Sequence, residues 1–77
     1  MPFYLFHWND LNEEHLAEHG VSPEEFEAVV CDPESVERSR SSDRFIAFGE
    51  LDGRFLACVY EMIDETTILP VTAYEVE

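Results

Sequence analysis

The chain has 77 residues, with 18 acidic side chains against four arginines and no lysine, and a formal net charge of −14. So short a chain is one domain, over 1–77, with a small core, and no run approaches the ~18–20 apolar residues of a membrane-spanning helix. Nucleic-acid binding draws its affinity from lysine and arginine neutralising phosphates, so this charge balance points away from a polyanion and toward a basic partner or a solubility role.

Apolar residues make up 45% of the chain and occur throughout it, which predicts a folded domain rather than a disordered one. Met1-Pro2-Phe3 lacks the positive start of an export signal, so cytoplasmic residence is expected. Cys31 and Cys58 then stay reduced and read as small buried hydrophobes.

Phe3 to Trp8 is short and aromatic-rich, as a strand is. Asn9 or Asp10 caps the helix that follows; with Asp10 as N-cap, Glu13 completes a capping box. Leu11, His15, Leu16 and His19 are spaced for one face, and Gly20 suits the left-handed residue after a helix end. The second helix has a dense start signal. Ser22 is its N-cap, Pro23 its first residue and Glu25 its third, while Val21 and Phe26 are spaced to pack on each other. Phe26, Val29 and Val30 form its buried stripe, and Asp32-Pro33 stops it.

Beyond Pro33 the period changes to two. Strands are predicted at Ser35–Ser39, Arg44–Leu51, Arg54–Met62 and Thr67–Val76, with Asp52-Gly53 as a two-residue turn of the I′ kind. Pro70 cannot donate to a ladder, so the last strand is an edge or is bulged there. The turn sets a register in which Arg44 faces Glu61, Phe45 faces Tyr60 and Leu51 faces Arg54. One sheet face then carries Phe45, Ala47, Leu51, Leu56, Cys58 and Tyr60. Pairing Met62 with Thr67 adds Leu69, Val71 and Ala73 to it. That face belongs under the helices. The other carries Arg44, Ile46, Phe48, Glu50, Phe55, Val59, Glu61, Ile68 and Tyr74. Two short helices cover only one face, so the second is predicted to be covered by something else or left as an exposed apolar patch, which usually marks a binding surface.

The order of elements, together with Trp8-Asn9-Asp10, Asn12, His19-Gly20-Val21-Ser22, Glu25, Asp32-Pro33, Arg44, Gly49, Gly53-Arg54 and Pro70-Val71-Thr72-Ala73, resembles the BrnT toxins. These are a compact branch of the RelE/ParE-like toxin superfamily. The resemblance covers nearly the whole chain, and its strongest piece is the helix-closing His-Gly-Val-Ser with its downstream Glu. It implies a RelE-like α+β fold, with two N-terminal helices packed on an antiparallel sheet in the order β-α-α-β-β-β-β. It also implies ribonuclease activity without a cofactor, and a cognate antitoxin that masks the toxin. Family members commonly carry a Lys-rich first helix and an Arg after the Ser-Ala or Thr-Ala near the end; here the helix is Glu-rich and the residue is Tyr74.

Such a ribonuclease needs acid–base groups and cations around the scissile phosphate. Arg44, Glu61 and Tyr74, grouped on the open face, are the candidate catalytic set: Arg44 to bind phosphate, Glu61 as base, Tyr74 to position the leaving group. Read as structure, Arg44 and Glu61 are a cross-strand ion pair. Arg38 and Arg40 are candidate contacts to RNA or a partner, and the simpler reading, which is preferred, makes them neutralisers of Glu34, Glu37 and Asp43. Arg54, Phe48 and Phe55 complete the candidate contact residues. His15-Leu16-Ala17-Glu18-His19 has the spacing of an inverted zinc-peptidase motif, but Gly20 ends the helix at once, and both histidines read as packing or surface residues with no metal. Two function classes follow: a non-catalytic or weakly active interaction module, associating through the open sheet face with itself or with a protein partner, or a ribonuclease toxin held by its antitoxin.

Overall fold

The computed structural model describes residues 4–39 and 43–76. Its elements are β1 (Leu5–Phe6), α1 (Asp10–Glu18), α2 (Pro23–Cys31), β2 (Ser35–Arg38), β3 (Arg44–Leu51), β4 (Arg54–Met62) and β5 (Thr67–Glu75). The strands form a single five-stranded sheet in the order β1-β5-β4-β3-β2. This is the predicted α+β layout with one difference. The sheet is mixed, because β1 runs parallel to β5, pairing Leu5 with Thr67 and Phe6 with Ile68.

The N-cap of α1 is Asn9. Its side chain accepts from the Asn12 backbone N–H, and the Asn12 side chain accepts from that of Asn9, both at 2.9 Å. Asn12 is buried because its amide also donates to the His7 carbonyl at 3.0 Å and the Pro70 carbonyl at 3.3 Å. A carboxylate at that position would have no proton for those carbonyls. β1 ends at Ile68's partner, so β5 beyond that point has no strand on its outer side, and α1 covers this edge instead. Docking through Asn12 turns the helix away from the predicted stripe. Asn12 and Leu16 are buried, while Leu11, His15 and His19 are exposed.

α1 closes in a Schellman motif. Gly20 has φ +71° and donates to the Ala17 carbonyl at 3.1 Å, and Val21 donates to the Leu16 carbonyl at 3.0 Å. Leu16 and Val21, the apolar pair that accompanies this motif, both lie in the core. α2 opens with the predicted box: the Ser22 hydroxyl accepts from Glu25 N–H at 3.1 Å, and the Glu25 carboxylate accepts from Ser22 N–H at 2.9 Å. Phe26, Val29 and Val30 are buried as predicted. α2 packs close on β3, where a Cβ at Gly49 would lie 3.2 Å from Val29 Cγ1. Cys31 does not follow the expectation of burial. One residue past Val30 it has rotated about 100° further round the helix, and it is exposed. Cys58 is buried, and burial, reinforced by the nearby Glu25 charge, pushes its thiol up to about 12.

The hairpin turn has positive φ at Asp52 and Gly53, and every predicted β3–β4 pair is present. β5 differs. Met62 pairs with Ile68 rather than with Thr67. The cause is Asp64, whose carboxylate accepts from the backbone N–H groups of Thr66 and Thr67 at 2.9 and 2.8 Å, and from both their hydroxyls. These bonds hold the Asp64 carboxyl below the usual carboxylate range and tighten the turn, so that Ile63 N–H donates to the Thr67 carbonyl. A one-residue slip exchanges faces: Ile68 enters the core and Leu69 joins the open face, the reverse of the expectation. Tyr60 pairs with Pro70 and Val59 with Thr72, leaving Val71 as a bulge. The bulge returns Ala73 to the core face opposite Cys58, where it was predicted.

Candidate functional site

The face of the sheet opposite the helices carries Ile46 and Phe48 from β3, Phe55, Ala57 and Val59 from β4, and Thr72 and Tyr74 from β5, by register. Phe48 and Phe55 are diagonal neighbours across the strands, their rings stacked at 6.2 Å and 18°. Ala57 pairs with Phe48 on one side and Tyr74 on the other, and is 0% exposed although it lies on the uncovered face. The three aromatic side chains therefore form a lid over the sheet floor. Phe55 and Tyr74 remain 37% and 39% exposed. No described element crosses this face.

At its α1 end the face becomes concave. Asn9, Leu11 and His15 of the helix side and Arg44, Glu61, Leu69 and Val71 of the sheet line a cleft of about 280 Å³. The Val71 bulge and the Leu69 slip create it, because both put aliphatic side chains where regular pairing would have sent them elsewhere. Leu11, 64% exposed, forms its outer lip. This volume is just under the roughly 300–1,000 Å³ of small-molecule sites and suits a single large side chain.

Arg44 and Glu61 meet as predicted, Arg44 Nε donating to Glu61 Oε1 at 3.2 Å. Tyr74 does not join them. Glu61 pairs with Leu69 and Ala57 with Tyr74, so Tyr74 stands four rungs of the ladder, roughly 13 Å, further along the sheet. The predicted catalytic trio is thus a pair at the cleft and a tyrosine in the aromatic lid. His15 lines the same cleft as the pair, a grouping hidden in the sequence because α1 was assigned a different buried face. An Arg–Glu pair and an imidazole lining one cleft can position a bound group by hydrogen bonds. Its one cation is already engaged by a carboxylate, which leaves little positive field for a phosphate.

Arg38 and Arg54 are occupied by the fold. Arg38 faces the helix side of the edge strand, with its guanidinium 5.8 Å from the Phe45 ring centre and 3.5 Å from Asp43. Arg40 lies outside the described residues. Arg54, expected as a contact residue, is instead a clamp. It donates to the Gly20 carbonyl at 3.1 Å, to Glu25 at 3.3 Å and to Glu75 at 3.4 Å. It thus joins the end of α1, the capping box of α2 and the last strand. Nothing in the spacing of residues 20, 25, 54 and 75 signals this; only the fold brings them together. The Trp8 indole N–H, 2.7 Å from Glu27, is a second such link.

Among the described residues no group of three or more His, Cys, Asp or Glu side chains is placed to hold a metal, and no helix is long and apolar enough to cross a membrane. Neither thiol is activated: burial raises that of Cys58, and partial desolvation with Glu27 beside it raises that of the exposed Cys31. Comparison with family models, with curated proteins and with solved structures finds no match for this chain.

Proposed function

We propose that the protein is a non-catalytic interaction module, of BrnT-like and RelE-like ancestry, that docks a protein partner on the open face of its sheet. One observation carries this reading: Phe48, Phe55 and Tyr74 roof a fully buried Ala57 on a face that no described element covers. An aromatic cluster at the centre of an uncovered patch is the usual anchor of a protein interface. The free thiols of Cys31 and Cys58 suit a reducing compartment, and we place the protein in the cytoplasm on that ground.

A second reading is favoured by a different observation. Arg44 and Glu61 meet at the mouth of a cleft that His15 also lines, and these are groups a metal-independent ribonuclease would use. In that reading the protein is a toxin and the aromatic face receives its cognate antitoxin. Incubation of the purified protein with RNA separates the two. The interaction-module reading expects no cleavage above that of an Arg44→Ala control. Cleavage by the native chain that Arg44→Ala and Glu61→Gln both abolish would establish the ribonuclease and overturn the module.

A further inference from the structure

We infer that the occupant of the open face is a basic amphipathic segment of a partner protein, whose apolar residues cover Phe48, Phe55 and Tyr74, seat one anchor in the α1 cleft, and are flanked by lysine or arginine. The inference rests on the docking reading above and adds the chemistry of the partner.

The rim of the face supplies the charge argument. Register places Glu37 of β2, Glu50 of β3 and Glu61 of β4 on this side of the sheet, around the apolar centre. Glu37 and Glu50 are exposed. Among the described residues the one cation on this face is Arg44, and Glu61 already binds it. Arg38 and Arg54 belong to the helix side. The whole chain adds a field of −14, which attracts a cationic partner and speeds its encounter.

The same facts weigh against a second copy of this chain. Two such faces brought together would oppose glutamate rims around their aromatic centres, and like charges juxtaposed in an interface are strongly unfavourable. A nucleic acid would meet the same rim with no lysine to offset it. The cleft adds specificity, since it opens onto this face, is walled by Leu11, Leu69 and Val71, and has room for one bulky side chain. Interfaces draw most of their affinity from such seated anchors.

The test uses the full chain and a synthetic amphipathic peptide of leucine, phenylalanine and lysine, followed by fluorescence anisotropy. Two relatives accompany it, one with glutamate in place of lysine and one with serine in place of the apolar residues. The lysine peptide is expected to bind most tightly, to weaken about tenfold with Phe55→Ser, and to weaken several-fold as salt is raised. Tyr74→Ser serves as the second face variant, with circular dichroism confirming that each variant folds. Equal binding of the glutamate peptide, lost with Phe55→Ser, would overturn the basic partner and leave the docking face standing. Equal binding of the serine peptide, indifferent to Phe55→Ser and Tyr74→Ser, would overturn both. Self-association at high concentration that Phe55→Ser abolishes would make a second copy the occupant and overturn the inference.

Discussion

Replacement of Phe26 by alanine is expected to leave about half or more of the protein unfolded at 25 °C. Phe26 is fully buried and is the largest such side chain among the described residues. Its ring meets Phe6 edge-on at 6.2 Å and Trp8 edge-on at 5.4 Å. It therefore ties α2 to the strand and loop that precede α1, besides covering the sheet. Truncating a buried phenylalanine costs about 3–5 kcal/mol, and a single core in a chain this short supplies about 3–5 kcal/mol in all. The two are equal in size, so the net stability falls to about zero and unfolded chains become at least as populated as folded ones. Trp8 packs directly on the substituted position and is the chain's one tryptophan. Its fluorescence through a urea titration, with far-ultraviolet circular dichroism beside it, reads the loss. Phe26→Leu keeps most of the volume and is expected to fold at a cost of about 1.5 kcal/mol or less. An alanine variant with the native midpoint would mean that the core is organised around other residues.

Arg54→Glu is expected to cost about 3 kcal/mol, with Arg54→Ala costing about 1–2 kcal/mol. The guanidinium is the shared partner of Glu25, Glu75 and the Gly20 carbonyl, and the Arg54 and Glu25 side chains keep only 30% and 23% of their exposure. Alanine removes the hydrogen bonds and leaves the two acids facing each other. Glutamate adds a third negative charge at that spot, in a chain already at −14. The two variants respond differently to salt. Screening shortens the reach of charge repulsion to about 8 Å at physiological ionic strength and less above it, so added salt recovers more of the stability lost by the glutamate variant than of that lost by alanine. Thermal unfolding at low and high salt measures both. Parallel salt responses would show that Arg54 acts through packing of its stem alone.

The parts of the fold written in local chemistry were legible from the residues. The Ser22-Pro23-x-Glu25 start, the Gly20 helix end and the Asp52-Gly53 turn each depend on a few adjacent side chains, and each stands where it was expected. The β3–β4 register followed from the turn alone. What depended on distant partners was not legible. α1 was turned by the Pro70 carbonyl, which claims Asn12 from the far end of the chain. β5 slipped by one residue because Asp64 tightens its turn, which exchanged Ile68 with Leu69. The site inherits the same division. Arg44 opposite Glu61, and Phe48 beside Phe55, follow from the hairpin. The cleft with His15, Leu69 and Val71 depends on the helix rotation, the slip and the bulge, and so had no signal in the spacing. Tyr74 was correctly placed on the open face but grouped with the wrong neighbours, since sharing a face says nothing of distance along the strand.

On the docking proposal, the uncovered sheet face and not the acidic helices receives the partner. Backbone amide shifts of isotopically labelled protein, followed by nuclear magnetic resonance as the leucine–phenylalanine–lysine peptide is added, test it most directly. Shifts are expected to concentrate in residues 46–48, 55–59 and 69–74 and at Leu11 and His15 of the cleft, with α2 unmoved. Shifts concentrated instead at Glu13, Glu14 and Glu24 on the helices, with β3 and β4 silent, would contradict it.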